Sequence, residues 1–428
     1  MSPSNFCFTL GAAIATIATA TAMFNYAVDP YLVFNVQRVS GFNELKPSVA
    51  TRERMMKAYQ AERVSPRTII LGSSRSALGI DPSSDSWPAS AKPVYNLSLV
   101  GSDTSTGIRY LRHHIASRPN SGLQTVVVGL DFESFLYRTG TSGAELAPPG
   151  EMEQRLALDR DGKPNEERDQ RVLTDQALSL LSLDAVFDSM RTVVGNRARR
   201  VVDLKTDGHL SDAALRETAN VDGFALLFDQ KNTETVKQYS APRRAMSDTP
   251  EGAIRNLSAV KELLEFAKEQ QLTVVLAIQP AHVSRLELLD RMGYWSDYER
   301  WKRELTTMVS LAGANQSVAL WDFGGYDAPA QELVPAKGAR TGMKWFWDPV
   351  HYSTALGEKM VARMFDSRSP DQYGVRLTPS NVNNHLARVR RDRQAFRNAM
   401  PHETARLAKL ACGDALCPGP VEPLTLLR

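Results

Sequence analysis

Two short blocks hold residue types that together could carry nucleophilic chemistry. Thr68-Ile69-Ile70-Leu71-Gly72-Ser73-Ser74-Arg75 reads as a buried strand that breaks at a glycine and delivers two serines. Asp348-Pro349-Val350-His351 places a carboxylate and an imidazole three residues apart, just ahead of a helical pattern from Thr354 to Phe365. A serine hydroxyl is a poor nucleophile until a base takes its proton. His351 could take it while Asp348 holds the ring through its other nitrogen. The leading expectation is therefore Ser74 as acyl-accepting nucleophile, His351 as general base and acid, and Asp348 as orienting carboxylate. Pro349 biases Asp348 toward extended backbone, which favours a turn that sends both side chains of its block to one place. Backbone N–H groups of Ser74 and Gly101 are candidate donors to the oxyanion of a tetrahedral intermediate. Each block has a plainer reading by itself: a helix cap for the serines, and a surface carboxylate beside a buried histidine for the other.

Elements that would position these groups can be read along the chain. Thr68–Leu71, Val94–Val100 and Thr125–Leu130 are apolar runs, with the helical stretch Thr104–Ser117 between the second and third. Continuous apolar runs alternating with helices indicate a parallel sheet covered on both faces. From Tyr137 to about Pro250 that rhythm stops, and Asp175–Met190 has apolar residues at helical spacing, so residues 137–250 read as a helical insertion. The rhythm resumes with helix Gly252–Gln270, strand Leu272–Ile278, helix Ser296–Leu311 and strand Ser317–Trp321. Ser73, Ser74, Gly101, Asp131, Gln279 and His282 all follow strands, so they should share the sheet edge where ligands of parallel α/β sheets collect.

Composition limits what surrounds this body. Of 428 residues 23% are charged and the net charge is +3, which gives no nucleic-acid footprint over the whole chain. Phe6 to Val28 is uncharged and long enough to cross a bilayer, although its small residues also suit a cleaved signal. Arg38 and Lys46 follow it and no basic residue precedes it, which leans toward a cytoplasmic body. Three cysteines make no disulfide framework, and zinc is not expected; Cys412 and Cys417 could form a small local disulfide or stay free thiols. Arg388, Arg390, Arg391, Arg393 and Arg397 lie along a helical stretch that could meet an anionic surface or simply face water. The expected organisation is an anchor over residues 1–30, a catalytic body over 31–368 with its insertion, and a basic helical extension over 369–428.

With these residues in view, the chain resembles the SGNH (GDSL-like) hydrolase superfamily, and more narrowly the envelope proteins of bacterial polysaccharide O-acetylation. Gly72-Ser73-Ser74-Arg75 is similar to the nucleophile block, Asn96-Leu97-Ser98-Leu99-Val100-Gly101 to the glycine block, and Asp348-Pro349-Val350-His351 to the terminal block. The framework covers about residues 65–365 without the insertion. The resemblance implies a flavodoxin-like three-layer α/β/α sandwich with Ser74 as nucleophile, moving small acyl groups, often acetyl, on carbohydrates or lipids. It also implies a body outside the bacterial inner membrane, held by a single span, beside a multi-pass membrane acyltransferase and a polysaccharide substrate. No metal or dissociable cofactor is required by these residues. One block departs: where the family usually offers an Asn side chain to the oxyanion, this chain reads Gly129-Leu130-Asp131-Phe132-Glu133. An ionised Asp131 cannot donate and would repel the developing charge. Either it points away, or it is protonated, or Asn96 supplies the third donor.

Further candidates surround the expected site. Arg75 could hold an anionic substrate or a carboxylate of the fold, and His282 could line the pocket or close a strand end. Asp322 could bind sugar hydroxyls or cap a turn, and Trp347 could stack on a sugar or fill core. Two rivals to an esterase or acyltransferase remain: a non-catalytic carbohydrate-binding or assembly protein, and a lipid or thioester hydrolase.

Overall fold

The computed structural model describes residues 2–138, 153–198, 202–240, 244–249, 252–254, 256–313, 317–339, 341–366 and 372–413. The chain divides into two compact units: one of residues 1–65, 109–121 and 147–214, the other of 66–108, 122–146 and 215–428.

The second unit holds the sheet. Its strands are β1 (Thr68–Leu71), β2 (Val94–Asn96), β3 (Thr125–Leu130), a short β4 (Tyr137–Arg138), β5 (Arg244–Ala245), β6 (Thr273–Ile278), β7 (Val318–Asp322) and β8 (Val375–Arg376). Six of these form one sheet in the order β2-β1-β3-β6-β7-β8, while β4 and β5 pair separately. All pairings among β2, β1, β3, β6 and β7 are parallel, and β8 runs antiparallel to β7. Runs such as Val126-Val127-Val128 and Val274-Val275-Leu276 are buried along their length, as parallel strands covered on both faces require. The chain steps from β1 outward to β2 and then crosses back to β3, so a topological switch point lies between β1 and β3.

Three packed features carry the site's supports. Tyr352, Leu356 and Met360 enter the core with Ile70, Val127 and Trp321, which seats the helix Thr354–Phe365 directly after His351. That helix meets the short helix Ser74–Gly79 through two glycines. A methyl on Gly357 would overlap the Gly79 carbonyl, and one on Gly79 would overlap the Tyr352 ring. Below β7, the buried Asp322 accepts from Lys302 at 2.7 Å and His385 at 2.8 Å, which ties the helices Trp295–Gly313 and Val382–Ala399 to the strand end.

The first unit is built around Tyr31, Val33, Met55, Tyr59 and Ala185, with many polar groups inside it. Lys46 is buried and donates to the Val28 and Asp29 carbonyls at 2.8 and 3.0 Å, which closes the end of the helix Pro3–Val28. Asp175 is buried and accepts from Tyr59 and Arg155.

Several expectations change here. The helical spacing over Asp175–Met190 falls on two helices, Arg168–Leu181 and Leu183–Ala198, broken at an extended Ser182. Residues 147–214 of the expected insertion cluster with the N-terminal segment, whereas 215–250 belong to the sheet unit. The basic C-terminal helix is also part of the sheet unit. Arg393 and Arg397 pair with Asp290 and are largely covered, while Arg390 pairs with Glu299 from a half-exposed position, so three of its five arginines hold carboxylates of the fold. β8 was hidden by its length of two residues. Cys412 is disulfide-bonded, and Cys417 lies outside the described residues.

Gly357→Ala should lower stability by about 2 kcal/mol, because an added methyl in a filled contact forces two helices apart. Thermal unfolding of the full-length protein in detergent reads this. An unchanged midpoint would contradict the close contact at Gly79.

Candidate active site

β1 ends at Leu71, and Ser73 caps the short helix that follows by accepting from the Arg75 N–H at 3.3 Å. Ser74 is the first helical residue, so the cap aims its side chain along the sheet edge. Its Oγ lies 2.9 Å from His351 Nε2. His351 Nδ1 lies 2.7 Å from Asp348 Oδ2. A carboxylate can only accept, so Nδ1 carries the proton and Nε2 is left to accept from the serine hydroxyl. Sequence reasoning placed Ser74, His351 and Asp348 together, and the structure brings them into one hydrogen-bonded chain.

The Asp348–His351 turn is held from several sides. Asp348 Oδ1 accepts from the N–H groups of Val350 at 2.7 Å and His351 at 2.9 Å, an Asx-type turn that orients the carboxylate. The Pro349 carbonyl accepts from the His282 N–H at 3.1 Å, which fastens the turn beyond the end of β6. Trp347 N–H donates to the His351 carbonyl, and Phe346 bridges Tyr352, so the turn closes a narrow hairpin. The Asp348 side chain is 2% exposed and that of His351 15%, which leaves the imidazole edge reachable over a shielded carboxylate. Burial would raise the Asp348 pKa. The opposing His351 charge and the two N–H donors outweigh it, so the carboxyl is held below its ordinary value.

The oxyanion candidates separate. Ser74 and Gly101 offer N–H groups that make no hydrogen bond among the described residues. Gly101 is exposed with φ +66°, a left-handed conformation that glycine adopts without a steric penalty. Its block is laced to β1 by Leu97 N–H to the Ile70 carbonyl, Leu99 N–H to the Gly72 carbonyl, and Ser102 Oγ to the same Gly72 carbonyl. Asn96 does not serve as the third donor. It is fully buried, and its Nδ2 donates to the carbonyls of Ser76 at 2.8 Å and Ile80 at 2.9 Å, so both of its hydrogens are spent holding the Ser74–Gly79 helix.

Asp131 is likewise engaged, as the acceptor of three donors. Ser73 Oγ donates to Oδ2 at 2.5 Å, Gln279 Nε2 to Oδ1 at 2.9 Å, and the Arg75 guanidinium lies 3.2 Å from Oδ1. Burial pushes its pKa up, while Arg75 and the Ser73 hydroxyl pull the other way. Of the alternatives for this position, the side chain is turned into a network under Ser74. Arg75 is buried there too, shared between Asp131 and Glu133, so it is not open to an anionic substrate. Glu133 also receives Arg285 at 2.9 Å. Burial alone would raise the Glu133 pKa, but Arg75 and Arg285 hold it down at about 2.

Gln279 is the residue that sequence reasoning placed at the edge without giving it a role. Its Oε1 accepts from Ser76 Oγ at 2.8 Å and Tyr352 Oη at 2.9 Å while its Nε2 serves Asp131. One amide thus links the Ser74–Gly79 helix, the residue after His351 and the end of β3. Glycines make room for it, since a methyl at Gly72 or Gly129 would overlap Ser76 Oγ. A glutamine directly after an apolar strand was the available signal.

The remaining candidates leave the chemistry. His282 caps the helix Val283–Arg291, with Nδ1 accepting from Ser284 N–H at 3.1 Å and Nε2 donating to the Glu332 carbonyl at 2.7 Å. Burial lowers its pKa to about 4. It borders a pocket of about 290 Å³ with Phe228, Glu332 and Arg406, but both ring nitrogens are committed. Asp322 is the buried partner of Lys302 and His385, so it is closed to sugar hydroxyls. Trp347 remains partly exposed beside the Asp348–His351 turn, stacked at 6.4 Å on Phe224 with the Arg216 guanidinium 5.4 Å from its ring centre. A cavity of about 10 Å³, the size of one water, borders Ser73 and Asp131.

Comparison of the chain with protein-family models, curated proteins and solved structures gave no match.

Because folding depresses the Glu133 pKa from 4.5 to about 2, its contribution is complete above pH 4.5 and is lost as pH falls toward 2. Glu133→Gln should cost about 3 kcal/mol at neutral pH, since it leaves two buried guanidinium groups short of charge. The gap to the parent protein should narrow as acid titrates the parent's carboxylate. Urea unfolding of both proteins, at neutral pH and at about pH 3, measures this. Equal midpoints at neutral pH would contradict the assignment.

Proposed function

We propose that this chain is a membrane-anchored serine acyl-transfer enzyme of SGNH type, acting on O-acyl groups, in particular acetyl, of an exported polysaccharide. The observation that carries the reading is the continuous chain Ser74 Oγ–His351 Nε2, His351 Nδ1–Asp348 Oδ2 at 2.9 and 2.7 Å. The parallel order β2-β1-β3-β6-β7 supports it, being that of flavodoxin-like doubly wound sheets, with Ser74 and Asp131 following the two strands at the switch point. In this reading the sheet unit is a three-layer α/β/α sandwich.

The reaction follows from the geometry. His351 Nε2 takes the Ser74 proton as Oγ bonds to the acyl carbon, and the carbonyl oxygen becomes an oxyanion facing the Ser74 and Gly101 N–H groups. The imidazolium, steadied by Asp348, returns the proton to the departing oxygen and leaves an acyl-serine. Water or a sugar hydroxyl then gives its proton to His351 and attacks the acyl carbon, which releases Ser74 and yields acid or a new ester. Asp131, spent on Ser73, Gln279 and Arg75, shapes the floor and leaves the oxyanion to backbone donors. Trp347 beside the triad turn gives a sugar ring an aromatic face.

The helix Pro3–Val28 is long and apolar enough to cross a membrane and would be the anchor. We place the body on the periplasmic side of a bacterial inner membrane, with a multi-pass acyltransferase as the source of acyl groups, on the strength of the resemblance to polysaccharide O-acetylation proteins.

Full-length protein in detergent should cleave an aryl acetate, and Ser74→Ala or His351→Ala should lower kcat by about 10³-fold or more, with Asp348→Asn near 10⁴-fold. Turnover unaffected by all three variants would remove Ser74 from the chemistry. Saccharide binding that survives Ser74→Ala, with no turnover by the parent, would point instead to a carbohydrate-binding module.

A further inference from the structure

The helices Arg168–Leu181 and Leu183–Ala198 form a hairpin whose amphipathicity is reversed. On the second helix, Leu183, Phe187, Met190 and Val194 recur at helical spacing and are 44–75% exposed. The side it buries carries Ala185, Ser189, Thr192 and Asn196. The first helix repeats the pattern, burying Asp175 and Ser179 while Leu173, Leu178 and Leu181 stand outward. A helix solvated by water turns its large apolar side chains inward. A helix solvated by lipid does the opposite: small and polar groups meet the neighbouring helix and large apolar ones meet acyl chains.

The partner of this hairpin is the anchor helix itself. Both hairpin helices pack against Pro3–Val28. On the anchor, coverage is confined to its C-terminal part: Ala18, Thr21, Ala22, Phe24 and Ala27 are partly covered, and Asn25 and Val28 are buried. Asn25 Nδ2 donates to the Leu180 carbonyl at 2.9 Å, an interhelical polar link where the hairpin turns. From Gln176 to Leu183 the turn has no charged residue. Tyr26 is exposed near the anchor's end and packs on Phe34 at 5.2 Å, the amphipathic aromatic placement of a membrane interface. Left in water, the outward leucines, Phe187 and Val194 would stand as a band of large exposed apolar side chains, flanked on the second helix by exposed Asp184 and by Arg191, which pairs with Asp188.

We propose that the hairpin 168–198 is seated in the lipid leaflet that receives the C-terminal end of the anchor helix, with acyl chains covering Leu183, Phe187 and Val194. The membrane unit is then a three-helix platform, in which the hairpin fixes the rotation of the anchor about its own axis. The proposal rests on the anchor reading given above, and its test reports on the two separately.

Spin labels are placed one at a time at Leu183→Cys, Phe187→Cys and Val194→Cys in full-length Cys7→Ser protein, reconstituted in phosphatidylethanolamine–phosphatidylglycerol nanodiscs. The Cys7→Ser protein without a further change is the blank. Ile14→Cys reports the anchor, and Asp169→Cys, whose parent side chain is 95% exposed, reports water. Collision with oxygen should exceed collision with a water-soluble nickel chelate at all three hairpin sites, the ratio standing roughly threefold or more above that at Asp169→Cys, because oxygen concentrates among acyl chains. Nickel-dominated collision at the hairpin with oxygen-dominated collision at Ile14→Cys would overturn the proposal and keep the anchor. Hairpin labels that neither reagent reaches would overturn it in favour of a protein partner. Nickel-dominated collision at Ile14→Cys would remove the anchor reading and this proposal with it.

Discussion

The hydrogen bond between Ser74 Oγ and His351 Nε2 joins residues 277 positions apart, and the contact is lost if either end moves by about an ångström. Much of the sheet unit can be understood as the means of holding that distance. Ser74 is set by a capped helix that starts as β1 ends. His351 is set by a turn whose carboxylate binds its own backbone and whose proline carbonyl is tied beyond β6. The helices behind the two residues meet through Gly79 and Gly357, so the separation of Ser74 and His351 follows from a contact with no room for a side chain.

A layer of polar groups lies beneath that contact, and its partners are matched group by group. Gln279 uses its oxygen for two hydroxyls and its nitrogen for a carboxylate, so its amide has one orientation that satisfies all three. Arg75 and Arg285 are balanced by Asp131 and Glu133. Buried charge of this kind adds little to stability beyond a well-packed apolar core, but a missing partner is costly. Its value is specificity: a helix carrying Arg75 has one register in which both carboxylates are met, and that register presents Ser74 to His351.

Legibility in the sequence followed how local each signal was. The strands Thr68–Leu71 and Thr125–Leu130 were readable to the residue because unbroken β-branched and apolar runs end at glycine or a polar residue. The meeting of Ser74, His351 and Asp348 was readable because a strand-end serine and an Asp-x-x-His turn are short blocks marked by residue type. What failed was long-range pairing. Nothing near Asn96 in sequence says that its amide holds the Ser76 and Ile80 carbonyls, and Asp322 shows no local sign of Lys302 or His385. The arginines of Val382–Ala399 looked like a basic face because their carboxylates, Glu287, Asp290 and Glu299, lie about 100 residues earlier. The reversed helices escaped because periodicity locates an apolar stripe without telling which solvent it faces.

The central claim is an activated Ser74. Its most direct test is intact mass of the full-length protein after exposure to a fluorophosphonate, run beside Ser74→Ala and His351→Ala. The account predicts a single phosphonyl adduct on the parent and none on either variant, because the hydroxyl needs both its own oxygen and the imidazole that deprotonates it. An unmodified parent that is folded, or an adduct that persists in Ser74→Ala, would contradict it.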